Sequence, residues 1–236
     1  MPITLLEIQE RVRREANPKV ASQLPRFFKT GPGQYGEGDI FLGIRMPDLR
    51  RLAKAFEYVP VPILRLLLAS PYHEERMLAL LLLIRKFEKG DERARERICS
   101  LYLGNTKHIN NWDLVDVSAP HITGAYLQDK DKAPLYELAR SSMLWERRIS
   151  MVATFHDIRR HHFDDAFAIS ALLLTDKEDL IHKAAGWMLR EIGKRNASVL
   201  DRFLIRYYRK MPRTMLRYAI EKFSEDKRLA YLKGEV

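Results

Sequence analysis

The chain has 236 residues, 41 of them Lys or Arg and 31 Asp or Glu, which gives a formal net charge of +10 at pH 7. Its length suits one large domain or two small ones, and a 46% share of hydrophobic residues supplies a real core, so a disordered chain is excluded. Cys99 is the single cysteine, which excludes a disulfide framework and a Cys-based structural zinc site.

The opening residues, Met1-Pro-Ile-Thr-Leu-Leu-Glu, reach a charge too early for a signal peptide. The longest apolar run, eight residues from Met77 to Ile84, is far short of the ~20 that cross a bilayer. A soluble, cytoplasmic protein with no membrane partner is expected. Leu6, Ile8, Val12 and Ala16 are spaced as one face of an opening helix, which should stop at Asn17-Pro18 because the residue before proline resists the α region. A helix-like stretch follows from Pro18 to Lys29.

The segment Thr30-Gly-Pro-Gly-Gln-Tyr-Gly-Glu-Gly-Asp39 breaks the rhythm. Gly31, Gly33 and Gly36 spell G-x-G-x-x-G, and Glu57 falls about twenty residues on. A dinucleotide site needs a strand before the glycines and a helix opening directly at them. Here a helical segment precedes, Pro32 interrupts, and no Gly-Lys-Ser/Thr follows, so the segment reads as a surface loop.

Further helices are predicted over 47–57, 61–69, 75–89, 91–103, 110–127, 133–142, 144–158, 164–173, 177–195, 198–210 and 213–223. Pro47, Pro62 and Pro134 sit where a first helical turn tolerates proline. Over Glu75–Lys89, Met77, Leu80, Leu81, Ile84 and Phe87 form a stripe at spacings of three and four. No apolar/polar alternation of strand length occurs, so the chain reads as all-α. About a dozen short helices with tight turns do not make a four-helix bundle. They suit stacked antiparallel pairs of the HEAT or armadillo kind, at roughly 40 residues per unit, with a compact helical domain as the alternative.

The charge is clustered. From Lys183 to Lys222 eleven basic residues face only Glu191, Asp201 and Glu221, so this stretch carries +8 of the +10. Clustering of this kind favours a polyanion, either nucleic acid or an acidic membrane surface.

Three constellations could carry chemistry. In Asn111-Trp-Asp-Leu-Val-Asp116, Trp112 and Asp116 are i and i+4, one turn apart on one side of a helix. A structural reading also stands: a half-buried Trp, with Asp116 bound to a neighbouring Arg or capping a helix. In Lys183–Lys194, positions 183, 187, 190 and 194 form one stripe, placing Lys183, Arg190 and Lys194 around Trp187. Ala184, Met188 and Ile192 make the opposite, apolar stripe, and Gly186 suggests that something approaches closely there. Such a stripe is either a solvated basic face or a surface that tracks phosphates. In Trp145–Val152, Trp145, Arg148 and Val152 share a face, where a structural salt bridge is the plain alternative. His156-Asp157, His161-His162 and Asp164-Asp165 read as polar turn residues rather than metal ligands, since no second cluster supplies a matched spacing. No metal site is expected.

Trp112-Asp-x-Val-Asp116, Arg148, and Gly186-Trp187-x-Leu-Arg190-Glu191 together resemble the bacterial DNA alkylation-repair enzymes of the AlkD type. The Lys29–Asp39 loop, followed by Phe41-Leu-Gly-Ile-Arg-Met-Pro47, resembles one branch of that family. The likeness runs from about residue 10 to the C-terminal region. It implies a right-handed helical solenoid of HEAT-like repeats with a concave basic face, forming a single domain over 1–236. It further implies a monofunctional DNA N-glycosylase that releases cationic N3- or N7-alkylated purines and leaves an abasic site, without lyase activity. By the resemblance, Trp112, Asp116 and Trp187 are catalytic, and Arg148 and Arg190 grip the DNA backbone; Lys183, Lys194 and Arg45 join them as DNA contacts. No metal or organic cofactor is implied. The partner is double-stranded DNA containing alkylated purines, with no obligate protein partner, and the expected state is a monomer. The sequence departs from the family at Asn111, where a second Trp is usual, at Phe27, in place of a Tyr that touches DNA, and at His156, in place of a backbone-binding Lys. The alternatives are a non-catalytic helical-repeat module that binds nucleic acid, or a scaffold for an acidic protein.

Overall fold

The computed structural model describes residues 3–236, and the chain divides into two compact units that meet in sequence between Ser118 and Ala119. Among the described residues there is no β-strand, and an isolated bridge pairs Ile40 with Tyr72. The chain is all-α. No helix of the described residues is long and apolar enough to cross a membrane.

The first unit opens with α1 (Leu5–Arg14), started by Thr4 and Glu7 in a reciprocal capping box and anchored by fully buried Ile8 and Val12. The stretch after Pro18 forms two single turns, α2 (Pro18–Ala21) and α3 (Leu24–Phe27), rather than one helix. Pro25 explains the break, because it has no N–H to continue the ladder. α4 (Met46–Ala55) and α5 (Val61–Leu68) follow, each with a proline in its first turn, as the sequence predicts. α6 (His73–Lys89) packs against α4, α5, α7 (Glu92–Leu103) and α8 (Trp112–Ser118). That central position buries it nearly all round from His73 to Ile84, where the sequence pattern suggested a single stripe.

The loop before α4 is closely fitted. Gly43 has φ +78°, and a Cβ there would lie 2.2 Å from the Asn17 carbonyl oxygen, so no other residue fits. Glu57, the acid that a dinucleotide site would have used, instead pairs with Arg85 at 2.8 Å and with Lys89.

The predicted helix over 110–127 is interrupted. α8 ends at Ser118, and in the second unit the chain widens into a π-turn over Pro120–Gly124, closed by the Gly124 N–H donating to the Ala119 carbonyl. Pro120 lacks the donor that would have continued the α ladder. α9 (Ala133–Ala139) packs on α10 (Leu144–Ala153), and Thr154 separates α10 from α11 (Phe155–Ile158) by turning its hydroxyl onto the Met151 carbonyl at 2.7 Å. α12 (Asp164–Leu172) leads to α13 (Asp179–Arg195), the long helix of this unit, which packs against α10, α12, α14 (Ala197–Tyr207) and α15 (Arg213–Ala219). The apolar stripe Ala184, Met188 and Ile192 is buried, as expected. α15 stops four residues earlier than the predicted 223, and α16 (Glu225–Lys233) adds a helix that no periodicity marked. It is held by Tyr231, which donates to Asp201 at 2.6 Å.

Candidate functional site

In the first unit the candidate residues gather at the start of α8. Trp112 and Asp116 are both half-buried, one turn apart. The Trp112 N–H donates to the Asn111 side-chain oxygen at 2.9 Å, and Asn111, fully buried, turns its amide NH2 onto Asp39 at 3.1 Å. Asn111, named above as a departure from the family pattern, is therefore used here to start the helix. Below α8, the hydroxyls of Tyr102 and Ser118 hydrogen-bond at 2.9 Å. Burial holds the Tyr102 hydroxyl well above the ordinary range; the Ser118 hydrogen bond opposes the shift and the nearby Asp116 charge adds to it.

The Trp112 ring has a built seat. It stacks on Phe28 with centroids 5.5 Å apart and meets Phe27 edge-on at 5.8 Å. Phe28 in turn stacks on Phe41 at 5.0 Å, and His73 lies 5.0 Å from Phe28 and 4.8 Å from Phe41. A pocket of about 240 Å³ opens beside these rings, with Arg45 and Asp113 in its wall. Arg45 is exposed at the N-terminus of α4, so this proposed DNA contact shares a neighbourhood with the Trp112 seat.

Asp39, the last residue of the glycine-rich segment, is the hub beneath. It is 8% exposed, whereas the sequence pointed to a surface loop throughout. It accepts hydrogen bonds from His73 (3.0 Å), Arg76 (2.5 Å), Asn110 (3.0 Å) and Asn111 (3.1 Å). Burial opposes its charge, but the His73 hydrogen bond and the Arg76 charge outweigh burial and hold its carboxyl below the usual range.

In the second unit, Trp187, Arg190, Lys183 and Lys194 share α13 as the spacing predicts. Trp187 is half-buried, with its ring 5.8 Å from that of Phe155. The guanidinium groups of Arg159 and Arg195 lie over the same Phe155 ring at 4.9 and 5.7 Å. Gly186 allows the close approach its place suggested: an added Cβ would stand 2.5 Å from Tyr218 Cβ and 2.6 Å from the Met215 carbonyl oxygen, both in α15. Arg148 is 5% exposed, and its guanidinium donates to the Leu180 carbonyl at 2.6 Å, tying α10 to the first turn of α13. The basic stripe is laced with carboxylates. Arg190 is paired with Glu221, Lys183 with Asp179 at 2.7 Å, and Lys194 with Glu191 at 2.6 Å.

His156 and Asp157 are buried in α11 rather than lying in a polar turn. Asp157 pairs with Lys132 at 2.6 Å, and the His156 ring bonds the Gln128 side-chain oxygen at 2.8 Å. Burial, then the charges of Arg160, Arg159 and Lys132, push the imidazole down to about 4, so at pH 7 it is neutral. Sequence reasoning missed the seat of Phe27, Phe28 and His73, and the Phe155 platform with Arg159 and Arg195. One signal was available: a run of four ionisable residues, His73-Glu-Glu-Arg76, directly before the longest apolar run.

The family described as DNA alkylation repair enzyme matches residues 8–223 of the chain. Among solved structures, the chain is similar to a predicted DNA alkylation repair enzyme from Enterococcus faecalis, at TM-score 0.68 and 16% identity, over 89% of this chain and 98% of that one. No curated protein matches. At that identity the structural likeness concerns the fold, and the match of the family over nearly the whole chain carries the assignment: this chain belongs to the DNA alkylation repair enzyme family.

Proposed function

We propose that this chain is a monofunctional DNA N-glycosylase that releases cationic N3- or N7-alkylated purines from duplex DNA, acting as a monomeric single domain of HEAT-like helix pairs without a cofactor. The observation that carries the reading is the start of α8, where an indole held in an aromatic seat stands one turn from a half-buried carboxylate.

The chemistry asks for those groups. An N3- or N7-alkylated purine is already cationic, so when the C1′–N bond breaks its electron pair neutralises the departing base and no general acid is needed. The paired carboxylates of ordinary glycoside hydrolysis are then unnecessary. Positive charge moves onto the deoxyribose, and water adds to C1′ as the bond opens. Asp116 stabilises the oxocarbenium charge, holds the attacking water and takes its proton. The face of Trp112 adds cation–π attraction to that charge, and Trp187 is the catalytic residue proposed for the second unit. Arg148, Arg190, Lys183, Lys194 and Arg45 hold phosphates of the duplex.

The test is a duplex carrying one N7-methylguanine, incubated with the protein and then treated with alkali to cleave abasic sites. Strand cleavage is expected from the wild type, with a loss of roughly 10²–10³ in rate in Asp116→Asn and DNA binding retained. If both proteins bind and neither releases base, the chain is instead a helical nucleic-acid-binding module.

A further inference from the structure

The first turn of α6 buries four consecutive ionisable side chains, His73, Glu74, Glu75 and Arg76, all at 4% exposure or less. Buried charge on that scale is costly unless it is paired and hydrogen-bonded. Glu74 is used by the chain before α4, whose Leu42, Gly43 and Ile44 N–H groups donate to it at 2.8, 2.7 and 3.2 Å. Glu75 accepts from Gln9 at 2.9 Å and from Ser70 at 2.6 Å. Arg76 donates to the Ser70 carbonyl at 2.9 Å and to Asp39 at 2.5 Å.

His73 is the one of the four that reaches α8. Nδ1 is 3.0 Å from Asp39 in the loop, and Nε2 is 2.8 Å from Asp113 in the first turn of α8. Its ring also touches Phe28 and Phe41, which carry the Trp112 seat. We propose that His73 is a positioning residue for base release: clamped between Asp39 and Asp113, it ties the loop over 30–45 to the first turn of α8 and so fixes where Trp112 and Asp116 stand. The catalytic part of this rests on the glycosylase reading above. The clamp itself does not.

The arrangement needs an imidazolium. Only the protonated ring has two N–H donors, one for each carboxylate, whereas a neutral ring leaves one carboxylate facing a lone pair. The groups facing it are Asp39 and Arg45 from the loop and its border, Asp113 from α8, Glu74 and Arg76 from its own helix, with His108 near Arg76. Burial disfavours the charge, but the hydrogen bonds and charges of Asp113 and Asp39 prevail and raise the ring from its ordinary 6.5 to about 9. The imidazolium therefore contributes fully below pH 6.5, and that contribution is lost as pH rises through about 9.

The experiment uses the full chain, 15N-labelled at tryptophan, with the Trp112 indole signal assigned by its loss in Trp112→Phe. The signal is followed from pH 6 to 10, beside base release from the N7-methylguanine duplex at pH 7.5. The Trp112 signal should titrate with a midpoint near 9 in the wild type. In His73→Gln it should be displaced and no longer titrate there, with base release slower by ~10–10², as expected for a misplaced reacting group, and DNA affinity within about threefold. Asp113→Asn removes one clamp partner without removing the ring, and should lower the midpoint; it carries the test if His73→Gln fails to fold. An indole signal that does not titrate in the wild type overturns the clamp. A displaced signal with unchanged base release overturns the positioning role. A wild type that titrates as expected but releases no base leaves the clamp standing and overturns the glycosylase reading.

Discussion

Single side chains decide how much of the positive charge is available to DNA. On α13 the cations already have carboxylate partners, so a phosphate arriving at Arg190 competes with Glu221. Arg190 is only 19% exposed in its side chain and Glu221 43%, which places the acid on the open side of the pair. Glu221→Gln should therefore strengthen duplex binding several-fold at low salt, while Arg190→Ala should weaken it and reduce the log–log salt slope by about 1. Fluorescence anisotropy over a salt series measures both. An unchanged slope in Arg190→Ala would remove this residue from the phosphate contacts. Arg148 works differently: its guanidinium holds the Leu180 carbonyl, so its loss should affect the α10–α13 junction as well as DNA.

Helix packing sets the next constraint, and α13 shows it at Gly186. Gly186→Ala would gain ~1 kcal/mol in helix propensity but drive a methyl into Tyr218 and the Met215 carbonyl. Overpacking of a filled interface costs ~1–3 kcal/mol, so the clash should prevail. In a chain of this length a net loss of ~1 kcal/mol lowers Tm by ~2–4 °C, and thermal unfolding by circular dichroism should show it. A variant as stable as the wild type would mean that α15 moves away freely. The π-turn over Pro120–Gly124 is the other point where an element departs from a plain helix, because Pro120 removes one donor and the Gly124 N–H reaches five residues back.

For the molecule as a whole, the glycosylase proposed above would draw its selectivity from the lesion, since of the two acids of α8 only Asp116 is given a role at the sugar. Asp113 is the other acid of that helix, and it is committed to His73. In the proposed mechanism no residue protonates the departing base, so neutral lesions would leave as anions, and general-acid help is worth ~10²–10⁴ in rate. A duplex carrying hypoxanthine should thus lose its base at least ~10² times more slowly than one carrying N7-methylguanine, measured by alkali cleavage under single-turnover conditions. Equal rates would point to an acid outside Asp116 and Asp113.

Much of this protein is legible in its residues taken in order. Period-3.6 spacing and the absence of alternation gave an all-α chain, the first-turn prolines marked α4, α5 and α9, and the stripe 183–194 predicted both faces of α13. These are properties of neighbours within one or two turns, which the sequence displays directly. The burial of Asp39, His73 and Arg76 is of another kind. Apart from Ser70 beside Arg76, their partners lie from 34 to 72 positions away along the chain, and a local reading of charged residues places them on the surface. The same holds for Trp112, whose seat comes from Phe27 and Phe28 more than eighty positions earlier. Sequence alone determined which residues could carry chemistry and on which helices they ride. Only the tertiary structure decided which charges are buried, paired and aimed, because desolvation and pairing depend on neighbours in space rather than on neighbours in the chain.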